Sequence, residues 1–254
     1  MDDVAADPSH PRYQSLLLSH RLEQAEQQGL LAGSAMIAHG RGEAYDYLLG
    51  EQTIASAHLA TLYALDALKR AGRPVLSLNG NAVALAGEAL LKLAERLDCP
   101  VEINIFYRTP ERMEALLGRL EAIKSELNLD VKILGAEPNA RIPGLKGPRA
   151  NCTKEGIIDA DVIMVPLEDG DRCEALVAMG KTVIVIDLNP LSRSAKMGSI
   201  TIVDELTRVA QNMLDLVQNE QTLGTESPFE NEKNLAEALR HIVTRFSDEA
   251  TEDD

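Results

Sequence analysis

Thr182-Val183-Ile184-Val185-Ile186 is an unbroken apolar, mostly β-branched run that breaks at once into Asp187-Leu188-Asn189-Pro190-Leu191-Ser192-Arg193-Ser194-Ala195. A strand that is apolar on both faces has to be covered on both. This restricts the chain to a parallel sheet with helices on either side. Residues 75–78, 101–106, 131–134, 161–166 and 199–203 repeat the pattern, with helical stretches between them. Strands alternating with helices imply right-handed crossovers. The predicted fold is therefore α/β, a Rossmann-like, mostly parallel sheet flanked by helices, with an N-terminal helical region. The expected divisions are a helical region at 1–72 packed on the core, a nucleotide-binding core at 73–220, and a C-terminal helix with an acidic tail at 221–254.

In such sheets the carboxyl ends of the strands face the ligand crevice. Four of these ends carry polar loops: Asn79-Gly80-Asn81, Tyr107 to Arg112, Leu167 to Arg172, and Asp187 to Ser194. Asp187 and Asn189 suit ribose hydroxyls or a base edge. Pro190 ends the strand, and Arg193 offers a donor fork for phosphate or carboxylate. The bland alternative is a strand exit with a surface arginine. Asn79-Gly80-Asn81 leads into a helix and presents backbone N–H groups to an anion, or is a plain tight turn. Neither a GxGxxG fingerprint nor a GxxxxGK[ST] loop is present. Thr109 and Pro110 read as a helix cap and first turn. Glu168, Asp169 and Asp171 invite a magnesium reading, against which stands helix capping by Asp169 or Asp171. Asp204 reads as the cap of the helix over residues 204–218.

The first third begins with a loose leader at 1–11, then a helix at 12–29 with Leu16, Leu17, Leu18 and Leu22 as its apolar stripe and Gly29 as its stop. A short apolar piece at 30–38 leads into His39-Gly40-Arg41-Gly42 and on to Glu51, read as a loop whose glycines let a ligand approach Arg41. Residues 53–72 read as a helix. The long polar segment at 136–156, the most basic in the chain, is expected to lie over the crevice. One amphipathic helix at about 234–246 could dock on a partner or on its own domain. One crevice would then collect Arg41, Arg108, Arg172 and Arg193, a set suited to multiply anionic small ligands.

The net charge of −15 argues against nucleic acid as a partner, though not against a single nucleotide. With three scattered cysteines, neither a disulfide framework nor a zinc site is indicated. No apolar run reaches membrane-spanning length and the N-terminus has no apolar signal core, so a cytoplasmic protein with no membrane partner is expected.

Seven runs in register give a stronger signal than any one motif: Ser9 to Tyr13, Ile37 to Ala44, Asn79 to Asn81, Phe106 to Arg112, Arg141 to Leu145, Val165 to Arg172, and Ile186 to Ser194. Together they resemble the archaeal phosphopantothenate synthetases, the 4-phosphopantoate–β-alanine ligases, over roughly residues 9–215. The resemblance implies a step of coenzyme A biosynthesis. In it ATP, with Mg2+, activates (R)-4-phosphopantoate as an acyl-adenylate, and β-alanine then takes the acyl group. It implies ATP contacts at Arg41, Asp187, Leu188, Asn189, Arg193, Ser194, Glu205 and Leu206. A first-helix arginine of the family falls near Ser19, and Arg21 is offered in its place, although two residues are about 200° around a helix. Arg41, Arg193 and His39 are the catalytic candidates. Asn79, Asn81, Arg108 and Arg172 are the candidates for binding the acid substrate. Metal ligands are left unassigned, as is the base for the β-alanine amine among Glu43, Asp46, Asp169 and Asp171. The resemblance also implies a homodimer, for which the N-terminal helices offer apolar surface. A nicotinamide-dependent dehydrogenase and a nucleotide sensor without turnover are the competing readings.

Overall fold

The computed structural model describes residues 6–221, 223 and 227–249. The first five residues of the leader and the tail beyond 249 lie outside them. Three helices open the chain, α1 (Tyr13–Gln27), α2 (Ser34–Leu49) and α3 (Ala55–Arg70). Then follow β1 (Pro74–Leu78), α4 (Gly80–Arg96), β2 (Val101–Ile103), α5 (Pro110–Leu127) and β3 (Ile133–Leu134). Two short antiparallel strands, β4 (Ala140–Arg141) and β5 (Asn151–Cys152), interrupt the long segment before β6 (Val162–Pro166). The chain ends with α6 (Gly170–Ala178), β7 (Thr182–Ile186), α7 (Arg193–Met197), β8 (Ile200–Ile202), α8 (Leu206–Gln218) and α9 (Asn231–Glu249).

Six strands form one parallel sheet in the order β3-β2-β1-β6-β7-β8. This is the Rossmann order, and it reverses between β1 and β6. The central strands show why the sheet is covered twice. Met164, Ile184 and Ile186 point into one hydrophobic cluster with α3, α4 and α8, while Ile163, Val165, Val183 and Val185 point into a second with Cys173 and Leu176 of α6. Successive residues thus serve opposite faces, as strand geometry requires. The first cluster runs from Leu22 to Ala238, so the N-terminal helices, the sheet and α9 share one core. The helix expected near 234–246 is α9, and it docks on its own domain against α3, α2, β8 and α7. Asn231 Nδ2 donates to Ala195 O at 2.8 Å and Asn234 Nδ2 to Thr201 O at 2.8 Å.

The stretch from His39 to Leu49 is not a loop but the body of α2. Two interior glycines each disfavour a helix by about 1 kcal/mol. Packing overrides them: Gly42 sits against Leu188, where an added Cβ would make an ordinary 3.4 Å contact with Cδ1, and Asp46 and Leu49 of the same helix are buried. The helix stops at Gly50, whose φ of +88° is the left-handed conformation of a C-terminal cap. A second correction concerns α8, where the cap is Glu205 rather than Asp204. The Glu205 carboxylate accepts from the N–H groups of Thr207 and Arg208, while Asp204 accepts from Thr53 Oγ1 at 2.6 Å.

Candidate active site

A cavity of about 570 Å3 opens where the strand order reverses. Asn79, Gly80 and Asn81 follow β1 into it; Ile105, Phe106 and Tyr107 follow β2; Leu167, Leu188 and Glu205 follow β6, β7 and β8. Helices α1 and α2 roof it, with His39, Glu43 and Asp46 facing in. Gly80 makes this roof fit, because a Cβ there would stand 2.8 Å from Leu30 O.

Asn79 is wholly engaged in building the floor. Its Oδ1 accepts from Ala82 N at 3.0 Å, capping α4, and its Nδ2 donates to Pro166 O and Leu167 O at 3.0 and 2.9 Å. It clasps β1 to β6 across the reversal. Asn81 also lines the cavity, and its Nδ2 reaches Ala35 O of α2 at 3.5 Å. The Asp187 carboxylate organises the β7 exit, accepting from Asn189 N at 2.9 Å and from the Ser192 hydroxyl at 2.5 Å. Burial pushes its pKa up, opposed by Ser192, Asn189 and the nearby Arg41. Ser194 is buried and donates to Glu168 O at 2.5 Å. Leu188, Glu205 and Leu206 line the cavity directly.

The four expected arginines do not line it. Arg172 is fully buried, donating to Glu168 Oε2 at 2.5 Å and Ser77 Oγ at 2.8 Å, and cannot reach the crevice as it stands. Arg108 turns away to Gly135 O at 2.5 Å and Ala136 O at 3.3 Å. Arg193 is exposed, its stem laid over Gly170 and its guanidinium paired with Asp171 and with Glu174. Arg41 is exposed on α2, close enough to act on Asp187 though not part of the cavity lining. Arg21 lies in a separate groove with Lys92 and Arg119.

Three other arginines take their place. Arg112 of α5 donates to Tyr107 O at 2.7 Å and Leu30 O at 3.2 Å. Arg149, from the segment expected over the crevice, is buried between Glu168 and Asp169. Arg208 of α8 is held by Asp46 and, at 2.7 Å, by Asp204. Sequence signals for them were slight. Arg112 sits inside a helix's first turn, Arg149 is one of several cations in a polar segment, and Arg208 is one residue of an amphipathic helix.

Glu168, Asp169 and Asp171 are spent on structure: two buried arginines, the α6 cap at Arg172 N, and Arg193. No cluster of three metal-ligating side chains forms among the described residues. His39 lines the cavity with Nε2 buried and unpartnered, and burial lowers its pKa against a smaller opposing effect of Glu43. It is a neutral imidazole at neutral pH.

A Rossmann-ordered sheet whose reversal point opens into a cavity lined by guanidinium groups defines an α/β enzyme for small anionic substrates. The sequence model of the phosphopantothenate/pantothenate synthetase family matches residues 56–245, and the chain belongs to that family. It is similar to a 4-phosphopantoate–β-alanine ligase of Thermococcus kodakarensis, 44% identical over 250 residues, covering 95% of this chain and 94% of the relative. The protein of that name from Methanosarcina mazei is 40% identical over 258 residues, with 99% of each chain covered. No helix among the described residues is long and apolar enough to cross a membrane.

Proposed function

We propose that this chain joins (R)-4-phosphopantoate to β-alanine, converting ATP to AMP and pyrophosphate, as a step of coenzyme A biosynthesis in the cytoplasm. The phosphopantoate carboxylate attacks the α-phosphorus and pyrophosphate leaves. The β-alanine amine then attacks the acyl carbon of the adenylate, the acyl C–O bond breaks with its electron pair and bridging oxygen leaving on AMP, and the nitrogen, cationic after attack, gives up a proton. The observation that supports this most is the single cavity at the strand-order reversal. It is large enough for nucleotide and acid to meet, and it is reached by residues from five strand ends.

The nucleotide lies along the β7 and β8 exits, against Asp187, Leu188, Asn189, Ser194, Glu205 and Leu206, with Arg41 and Arg193 reaching its phosphates from outside the rim. Magnesium enters with the triphosphate rather than into a preformed cage. Glu43, which lines this rim with its Oε1 bonded to the Tyr47 hydroxyl, is the carboxylate that would help hold it. The ion would supply positive charge for the departing pyrophosphate. His39 is the best-placed acceptor for the ammonium proton, since Asp46, Asp169 and Asp171 are each committed to an arginine. The apolar surface of the N-terminal helices would serve a homodimer.

AMP release from MgATP and 4-phosphopantoate, with and without β-alanine, tests the proposal. Stoichiometric AMP and amide only with both co-substrates is expected. ATP binding without AMP release would move the chain to a nucleotide sensor.

A further inference from the structure

Helix α9 follows the last strand, and among the described residues none of it lines the cavity. It is nevertheless bonded to both helices that flank the β7 exit, α7 and α2. At its start, Asn231 Nδ2 donates to Ala195 O at 2.8 Å and to Gly198 O at 3.0 Å, while Asn231 Oδ1 accepts from Thr201 N at 2.9 Å. These bonds close the C-terminal end of α7, the short helix that begins with Arg193 and Ser194. Asn234 Nδ2 adds a bond to Thr201 O of β8 at 2.8 Å.

The far end of α9 closes α2. The last carbonyls of a helix have no partner within it and carry the negative end of its dipole. In α2 three of them face α9. Arg245 Nη1 donates to Tyr47 O at 2.8 Å and reaches Leu48 O at 3.4 Å, and His241 Nε2 lies 3.2 Å from Leu49 O. A carbonyl oxygen only accepts, so that imidazole nitrogen carries the proton. Gly50 makes room for the guanidinium, because a Cβ there would stand 3.1 Å from Arg245 Nη1.

Asn231 and Arg245 are about 21 Å apart along the helix. Between them α9 is lightly held. Of its described residues only Leu235 and Ala238 are apolar and buried, and Glu237 pairs with Arg240 in solvent. A helix docked on so little apolar area depends on the bonds at its ends, and elements of this kind open locally before the core does. On its inner side α2 meets the same exit, with Gly42 against Leu188. The β7 exit is thus bracketed, with α2 over it, α7 after it and α9 tying the two together.

We propose that α9 is a brace that fixes the roof helix relative to α7, and that His241 and Arg245 act through α2 as positioning residues for the nucleotide. That the ligand so served is a nucleotide rests on the ligase reading; the brace does not.

Hydrogen exchange of the full chain, read by mass spectrometry, tests it together with calorimetric titration of MgATP and of 4-phosphopantoate. Arg245→Ala should speed exchange of the amides of residues 45–50 about tenfold and leave those of β1 and α4 unchanged. It should weaken MgATP about fivefold and leave 4-phosphopantoate unaltered. Arg245→Lys keeps a cation at the helix end and should restore most of both. Asn231→Ala, at the other end of the brace, should speed the same α2 amides about threefold. The effect is smaller because Phe229 still packs on Tyr63 of α3, ring centroids 4.9 Å apart. If Arg245→Ala does not fold, Asn231→Ala decides. Unchanged exchange in α2 would overturn the proposal, and so would a loosened α2 with unchanged MgATP affinity. Equal loss of both ligands would overturn it too, since general destabilisation, not positioning, would then be the cause. Wild type that binds MgATP yet never releases AMP would sink the ligase reading and leave the brace standing, because exchange and affinity are read without turnover.

Discussion

The two ends of the cavity are held in different ways. At the β1–β2 end, Arg149 rests on a carboxylate that is itself clamped by the fully buried Arg172, and Asn79 and Asn104 stitch the strand exits together. At the α2–α8 end, Arg208 joins Asp46 to Asp204 with its side chain 27% exposed, and α2 rests on Leu188 through a glycine. The C-terminal helix steadies α2 from behind, with Arg245 Nη1 donating to Tyr47 O at 2.8 Å. One end is built on the sheet, the other on a helix laid across it. The difference suggests a division of labour: a preorganised pocket for one substrate and a roof that admits the other.

Cutting the support at each end measures this contrast. Arg172→Met leaves Glu168 with one buried partner fewer, and should lower stability by about 3–5 kcal/mol, read from chemical denaturation. Asp46→Asn at the helical end breaks a partly solvated pair and should cost about 1 kcal/mol. Equal losses would mean that the two ends are equally rigid.

A smaller effect is expected outside the rim. Arg193 is paired only with exposed carboxylates, so Arg193→Ala should leave the melting temperature in place. If the guanidinium swings onto the nucleotide as proposed, the KM for ATP should rise about tenfold while the affinity for 4-phosphopantoate stays constant. An unchanged KM for ATP would confine the nucleotide to the cavity proper.

What could be read from the sequence follows the same line. The strands announce themselves because period-2 burial on two faces forces continuous apolar runs, and the cap at Thr109 and the first-turn Pro110 are local chemistry, found as expected. The α2 helix was hidden by Gly40 and Gly42, since contacts that hold it, such as Asp46 with Arg208, join residues far apart in the chain. The arginines expected to gather in the crevice do not line it, for a related reason. Arg172 stands in a polar loop motif, yet the first turn of α6 rotates it inward onto Ser77, and only a folded sheet puts Ser77 there. Arg149 and Arg208 carry no motif at all; their partners come from 19 and 162 residues away.

His39 offers the finest test of the helical end, because its burial depends on α2 staying closed over the cavity. Burial lowers its pKa below the ordinary 6.5, so in acid the unfolded chain takes up a proton that the folded chain refuses. The sign follows by linkage. Above about pH 7.5 both states hold a neutral imidazole and the residue contributes no pH dependence. As pH falls through the unfolded value of about 6.5, folding is progressively penalised, until the folded pKa is also passed. The stability of wild type minus that of His39→Gln should therefore be flat above about pH 7.5 and decline progressively below it, by a fraction of the loss at Arg172. A difference that rises in acid would mean that Glu43 outweighs burial and that the roof stands open to water. If His39 takes the ammonium proton, kcat for amide formation should fall over the same acidic range, since a protonated imidazole accepts nothing. A stability profile that declines while kcat stays level would keep the closed roof and assign the proton to another acceptor.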